Sequence, residues 1–103
     1  MNRICIVGRL TRQPELRVTP NGVPVANFTV AVNRRAKNEA DFIDCVAFKQ
    51  SAEFISAYGD KGRVVSVDGR LQSRKWEAKD GGNRTSWEIL VDNVGLWDKR
   101  QEA

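Results

Sequence analysis

A small all-β barrel with one short helix is the fold class that this sequence predicts. Three observations carry it. Apolar residues alternate with a period of two in separate short runs, turn signals divide the runs, and one stretch with helical spacing lies between the third run and the fourth. At 103 residues the chain fits a single domain, read here as residues 1–103.

Taken in order, the first strand spans Arg3 to Leu10, and Thr19-Pro20-Asn21-Gly22 is a turn in which proline presets φ and glycine supplies a positive one. The second strand, Val25 to Asn33, puts Ala26, Phe28, Val30 and Val32 on one face and small or polar residues on the other. A basic loop follows at Arg34-Arg35-Ala36-Lys37. The third strand, Phe42 to Lys49, sends Ile43, Cys45 and Ala47 one way and Phe42, Asp44, Val46 and Phe48 the other. Ser51 is placed as the helix N-cap with Glu53 in the first turn, Phe54, Ile55 and Tyr58 as the apolar stripe, and Gly59 or Gly62 as the stop. The fourth strand runs from Arg63 to about Trp76, and Gly69 in its middle marks a bulge or a sharp bend. Asp80-Gly81-Gly82-Asn83 turns the chain into a fifth strand, Thr85 to Asp92. Five strands with a helix between the third and fourth is the order of an OB-fold, a partly open Greek-key barrel.

Composition narrows the function. The formal net charge of +4 is compatible with an anionic partner and equally with simple solubility, so its distribution has to decide. The apolar run Ile4–Val7 is too short for a signal peptide, and no segment is long enough to span a membrane, which gives a cytoplasmic expectation. With no histidine, neither a Ser/His nor a Cys/His pair is available. Cys5 and Cys45 read as small buried hydrophobes, and no metal or other cofactor is expected. Asp41, Asp44 and Asp68 are scattered acids that nothing pairs into a metal-dependent nuclease.

Binding a single strand without sequence preference needs a basic track for phosphates and flat rings for bases. Arg70, Gln72, Arg74 and Trp76 share the face of the fourth strand opposite Val65, Val67 and Leu71, a pattern that core packing does not explain. Phe42 and Phe48 share a face of the third strand, and alternation alone leaves them as either core or exposed platforms. Arg34, Arg35, Lys37 and Lys75 complete the candidate backbone contacts, although such a loop is also compatible with plain solvation. Trp87 alternates with Ile89 and Val91, so it is read as packing, and its loss is expected to act on stability rather than on binding. Trp97 is assigned to covering the barrel or a neighbouring subunit.

Three stretches resemble the core of bacterial single-stranded DNA-binding proteins: Asn2 to Thr11 with Pro14-Glu15-Leu16-Arg17, Asn21-Gly22 through Asn33, and Val67 to Trp76. The resemblance implies an OB-fold, a homotetramer around which single-stranded DNA wraps, and roles in DNA replication, recombination and repair. It places base stacking at Phe42, Phe48 and Trp76. It also implies a stacking tryptophan where this chain has Ala36, which removes one contact per subunit. The closing Lys99-Arg100-Gln101-Glu102-Ala103 lacks the acidic, phenylalanine-terminated tip of that family, so recruitment of repair proteins is not expected. The expectation is a non-enzymatic DNA-binding protein. The alternatives are a dimeric replication-restart accessory protein on the same fold and an OB-fold protein-interaction module.

Overall fold

The computed structural model describes residues 1–36 and 38–97. Among them the chain order is β1 (Ile4–Leu10), β2 (Glu15–Val18), β3 (Pro24–Asn33), β4 (Ala40–Phe48), α1 (Lys49–Tyr58), β5 (Val64–Glu77) and β6 (Asn83–Leu96). The sheet order is β1-β5-β6-β4-β3-β2, and a short β1–β3 pairing (Arg9 opposite Ala31, Leu10 opposite Val30) closes five strands into a ring. Only β4 and β6 run parallel within that ring. Counting ring strands alone, the order is 1-2-3-5-4 with the helix between the third and fourth, which is the predicted OB arrangement.

The strand outside the ring is β2, which sequence reading did not separate. All four of its residues are exposed, so it has no apolar alternation to betray it. Its ladder with β3, from Glu15 opposite Asn27 to Val18 opposite Pro24, and the predicted turn at Thr19–Gly22 hold it in place. In that turn the Gly22 amide donates to the Thr19 carbonyl at 2.8 Å, and the Val23 amide donates to Thr19 Oγ1 at 3.1 Å.

The helix begins two residues before the serine assigned to cap it. β4 leaves the sheet through Lys49 at φ 58°, with extended Phe48 as the N-cap and no side chain bonded to the free amides. Ser51 therefore lies inside the first turn, and Glu53 falls beyond it. Gly59 ends the helix, its amide donating to the Ile55 carbonyl at 2.8 Å. Of the expected stripe only Ile55 is buried, joined by Ala52. Phe54 and Tyr58 stay on the surface and face each other with ring centroids 5.5 Å apart.

The core fills the ring from alternate positions: Phe28 and Val30 on β3, Cys45 and Ala47 on β4, Val65 and Val67 on β5, Ile89 and Val91 on β6, with Leu10 and Ile55 closing it. The two cysteines separate. Cys45 is buried, and burial with nearby Asp44 and Glu88 pushes its thiol up to about 12. Cys5 is exposed, contrary to the sequence expectation. The unbroken apolar run Ile4–Val7 conceals its own period: Ile4 and Ile6 turn to the core, whereas Cys5 and Val7 face out.

One close approach shapes the β5–β6 pair. Asp68 lies opposite Asn93 but Gly69 lies opposite Val91, so Asp92 is the extra residue of a bulge. A Cβ on Gly69 would collide with the Leu90 carbonyl oxygen, which explains the glycine predicted to bend this strand. Gly69→Ala is accordingly expected to lower unfolding free energy by about 1–3 kcal/mol in urea titrations. An unchanged midpoint would show that the two strands can separate there without penalty.

Candidate nucleic-acid interface

The register brings the predicted aromatics onto one surface. Asp44 of β4 aligns with Glu88 of β6, which aligns with Gln72 of β5, and aligned residues share a face. A period of two then carries Phe42, Val46 and Phe48 of β4, Arg84, Ser86 and Leu90 of β6, and Arg70, Arg74 and Trp76 of β5 to the same outer side. Phe42 is 68% exposed, Phe48 42% and Trp76 47%. Phe42 owes its free ring face to a small cross-strand partner, Ala31. The two phenylalanines that alternation left open are therefore surface residues.

This surface is not uniformly basic. Asp44 and Glu88 occupy its centre, and the Asp44 carboxylate accepts from Thr29 Oγ1 at 2.9 Å. The cations lie around them. Arg70 and Arg74 line β5, Arg84 faces Trp76 across the hairpin, and Arg17 of β2 donates to Asn27 Oδ1 at 3.3 Å. A track for a polyanion can run along the β5–β6 side past Phe42, skirting the two central acids.

The loop between β3 and β4 contributes unequally. Arg35 is exposed, and Lys37 lies outside the described residues. Arg34 is already engaged, with Nε and Nη2 donating to Asp41 Oδ1 at 3.0 and 2.8 Å and Nη1 3.6 Å from Glu39 Oε1. The hydrogen bond from Arg34 holds the Asp41 carboxyl below its usual range, and the same bond raises the guanidinium. An open groove of about 430 Å³, lined by Asn33, Arg34, Asn38, Glu39, Ala40 and Phe42, joins this loop to the first stacking candidate. Lys75 stands apart from the other cations: it aligns with Thr85 on the opposite face of the hairpin.

A model described as "Single-strand binding protein family" matches residues 1–97. The chain belongs to the single-strand binding protein family. Among its relatives, a "Single-stranded DNA-binding protein" of Oceanobacillus iheyensis is 50% identical over 99 residues, covering 91% of this chain. A protein of the same name from Bacillus cereus is 49% identical over 105 residues, covering 97% of this chain. "Single-stranded DNA-binding protein 2" of Staphylococcus aureus is 52% identical over 99 residues, or 91% of this chain. The chain spans 62% of the length of the first two relatives and 70% of the third. Family membership carries the OB-fold with it, in agreement with the ring topology.

The structure places one tryptophan differently from the sequence expectation and adds one arginine to the outer face. Trp87 shares the face of Ile89 and Val91 as expected, yet it is 58% exposed. The core ends at Ile89. From there β5 and β6 continue as a two-stranded ribbon whose inner face, among the described residues, meets no further layer of the barrel. The sequence held a sign of this, since Ser73 and Lys75, which align with Trp87 and Thr85, are polar where a core face would be apolar. Arg84 joins that face because β6 begins at Asn83, two residues before the expected strand start at Thr85. Trp97 is also exposed, and its indole Nε1 donates to Ser66 Oγ at 2.7 Å, so it lies along the outside of β5. Trp76→Ala and Trp87→Ala are each expected to change stability by about 1 kcal/mol or less. Ile89→Ala should cost about 2–5 kcal/mol. Thermal or denaturant melts of the three variants compare them directly.

Proposed function

We propose that this chain binds single-stranded DNA without reading its sequence and protects it during replication, recombination or repair. The carrying observation is the single outer face on which Phe42, Phe48 and Trp76 stand exposed beside Arg70, Arg74 and Arg84. Stacking accepts any base because every base has a π face, and arginines on a sheet seat phosphates wherever they fall. Arg35, together with Lys37 and Lys75, extends the cationic boundary, and Arg34 joins it by exchanging its carboxylate partners for phosphate. The names of the relatives point to the same ligand. The role is binding rather than catalysis, exercised where single strands form in the cytoplasm.

Affinity for oligo(dT) is expected to fall steeply between low and high salt as bound phosphates release counterions. Trp76→Ala should weaken binding by about 1–3 kcal/mol in fluorescence or anisotropy titrations. A flat salt response, or duplex bound as tightly as single strand, overturns this reading.

The chain also associates with itself. β1 pairs with β5 from Ile4 to Arg9, but its other edge meets β3 only at Arg9 and Leu10. Among the described residues no strand of the same chain pairs with this edge from Ile4 to Val7, and an unpaired edge is a template for another copy. Val7, 60% exposed on the outer side of this strand, adds apolar surface to such a contact. Sedimentation at micromolar concentration should give a tetramer, and a monomer would remove self-association from the proposal.

A further inference from the structure

The family reading uses one face of the β5–β6 ribbon, and the ribbon has two. On its outer face Trp76 aligns with Arg84. On its inner face Trp87 aligns with Ser73, three rungs and roughly 10 Å nearer the barrel. Neither ring is buried, at 47% and 58% exposure. A tryptophan left open on the continuation of a core face, two residues from fully buried Ile89, has no packing role that accounts for its size.

The surroundings of Trp87 select its occupant. Its cross-strand partner is the small Ser73, which leaves the indole face uncovered. The next rung toward the tip pairs Lys75 with Thr85, a cation and a hydroxyl within reach of a phosphate bound beside a stacked base. Toward the barrel, Leu71 and Ile89 form the apolar floor. One flat ring edged by hydroxyls and a lysine suits a nucleobase with its backbone better than a protein, which would call for a broader apolar patch. Resting on the proposed DNA-binding function, we infer that Trp87 is a second stacking platform and that Lys75 is its phosphate partner. The single strand then contacts both faces of the ribbon, passing over an edge that neither β1 nor β4 covers. The position of Lys75, apart from Arg70 and Arg74, thereby acquires a role.

Tryptophan fluorescence isolates this site, since the chain has three tryptophans. In the Trp76→Phe/Trp97→Phe double variant, Trp87 is the sole reporter and the aromatic surfaces are retained. Saturating oligo(dT) should quench its emission, and unchanged emission in a complex that labelled oligo(dT) shows to be formed overturns the inference. In the otherwise unaltered chain, Trp87→Ala should weaken binding of long oligo(dT) about 5- to 100-fold while sparing oligonucleotides too short to round the ribbon. Trp87→Phe should retain most of the affinity. Equal affinity of Trp87→Ala and the parent at every length overturns it, as does a loss that tracks a change in sedimentation, which would assign the ring to contact between copies. If the parent chain binds no oligo(dT), the DNA-binding reading itself fails and this inference with it. If the parent binds and only the Trp87 signals are silent, the second platform alone is wrong.

Discussion

Where β5 crosses β6 at Gly69 there is no room for a side chain, and the extra residue Asp92 forces the two strands to change register. Two regimes of one sheet follow, and they meet at the Leu71–Ile89 rung just past this contact. On one side, Val65 and Val67 face Val94 and Leu96 and belong to a closed ring with a dry interior. On the other, Val91 and Ile89 still face the core, and beyond Ile89 the same strands run on as a two-stranded ribbon. The barrel has to be closed to bury its core, and the ribbon has to leave the barrel to expose its aromatics. The bulge at Asp92 bends the pair just before that departure and shifts its register by one residue.

The outer face obeys a related constraint. The ring fills its interior from the inward positions of each strand, among them Phe28, Val30 and Ile89, with Ile55 of the helix closing it. Phe42 and Phe48 stand on the outer face of β4 because Ile43, Cys45 and Ala47 take its inward positions. Site and core are two readings of one period-two pattern. Arg34 shows how the loops complete the arrangement: its ion pairs with Asp41 and Glu39 shape the β3–β4 loop beside Phe42, although exposed pairs of this kind add little to stability.

Much of this was legible in the sequence, and the failures share a cause. Ring strands, the Thr19–Gly22 turn, the kink at Gly69 and the Arg70–Gln72–Arg74–Trp76 face are all local patterns, written in spacing or in glycine and proline. What escaped was set by where the third dimension stops. Trp87 has the alternation of a core residue, but the layer that would cover it does not extend so far. Cys5 is hidden in a four-residue apolar run whose phase is fixed only by pairing with β5. The helix starts at Lys49 because the chain turns out of β4 there, a tertiary demand that overrides the better cap at Ser51. β2 lacks a pattern because no part of it is buried.

The ribbon also differs from the barrel in what holds it. At its root the Asn2 side-chain amide donates to the Leu71 carbonyl at 2.8 Å and accepts from the Leu71 amide at 3.0 Å, continuing β1 by one rung. At its tip Gly81 adopts φ 86° and the Ala78 amide donates to the Gly82 carbonyl at 2.8 Å. Between these clasps there is only a two-stranded ladder, which by itself is marginal in water. Opening of the ribbon is therefore a local event of low free energy, in which backbone amides of residues 72–77 and 83–87 exchange with solvent while those of Val65, Val67 and Ile89 stay protected until the barrel itself unfolds. The segment that carries both Trp76 and Trp87 is the one whose order a bound ligand has most to gain from fixing.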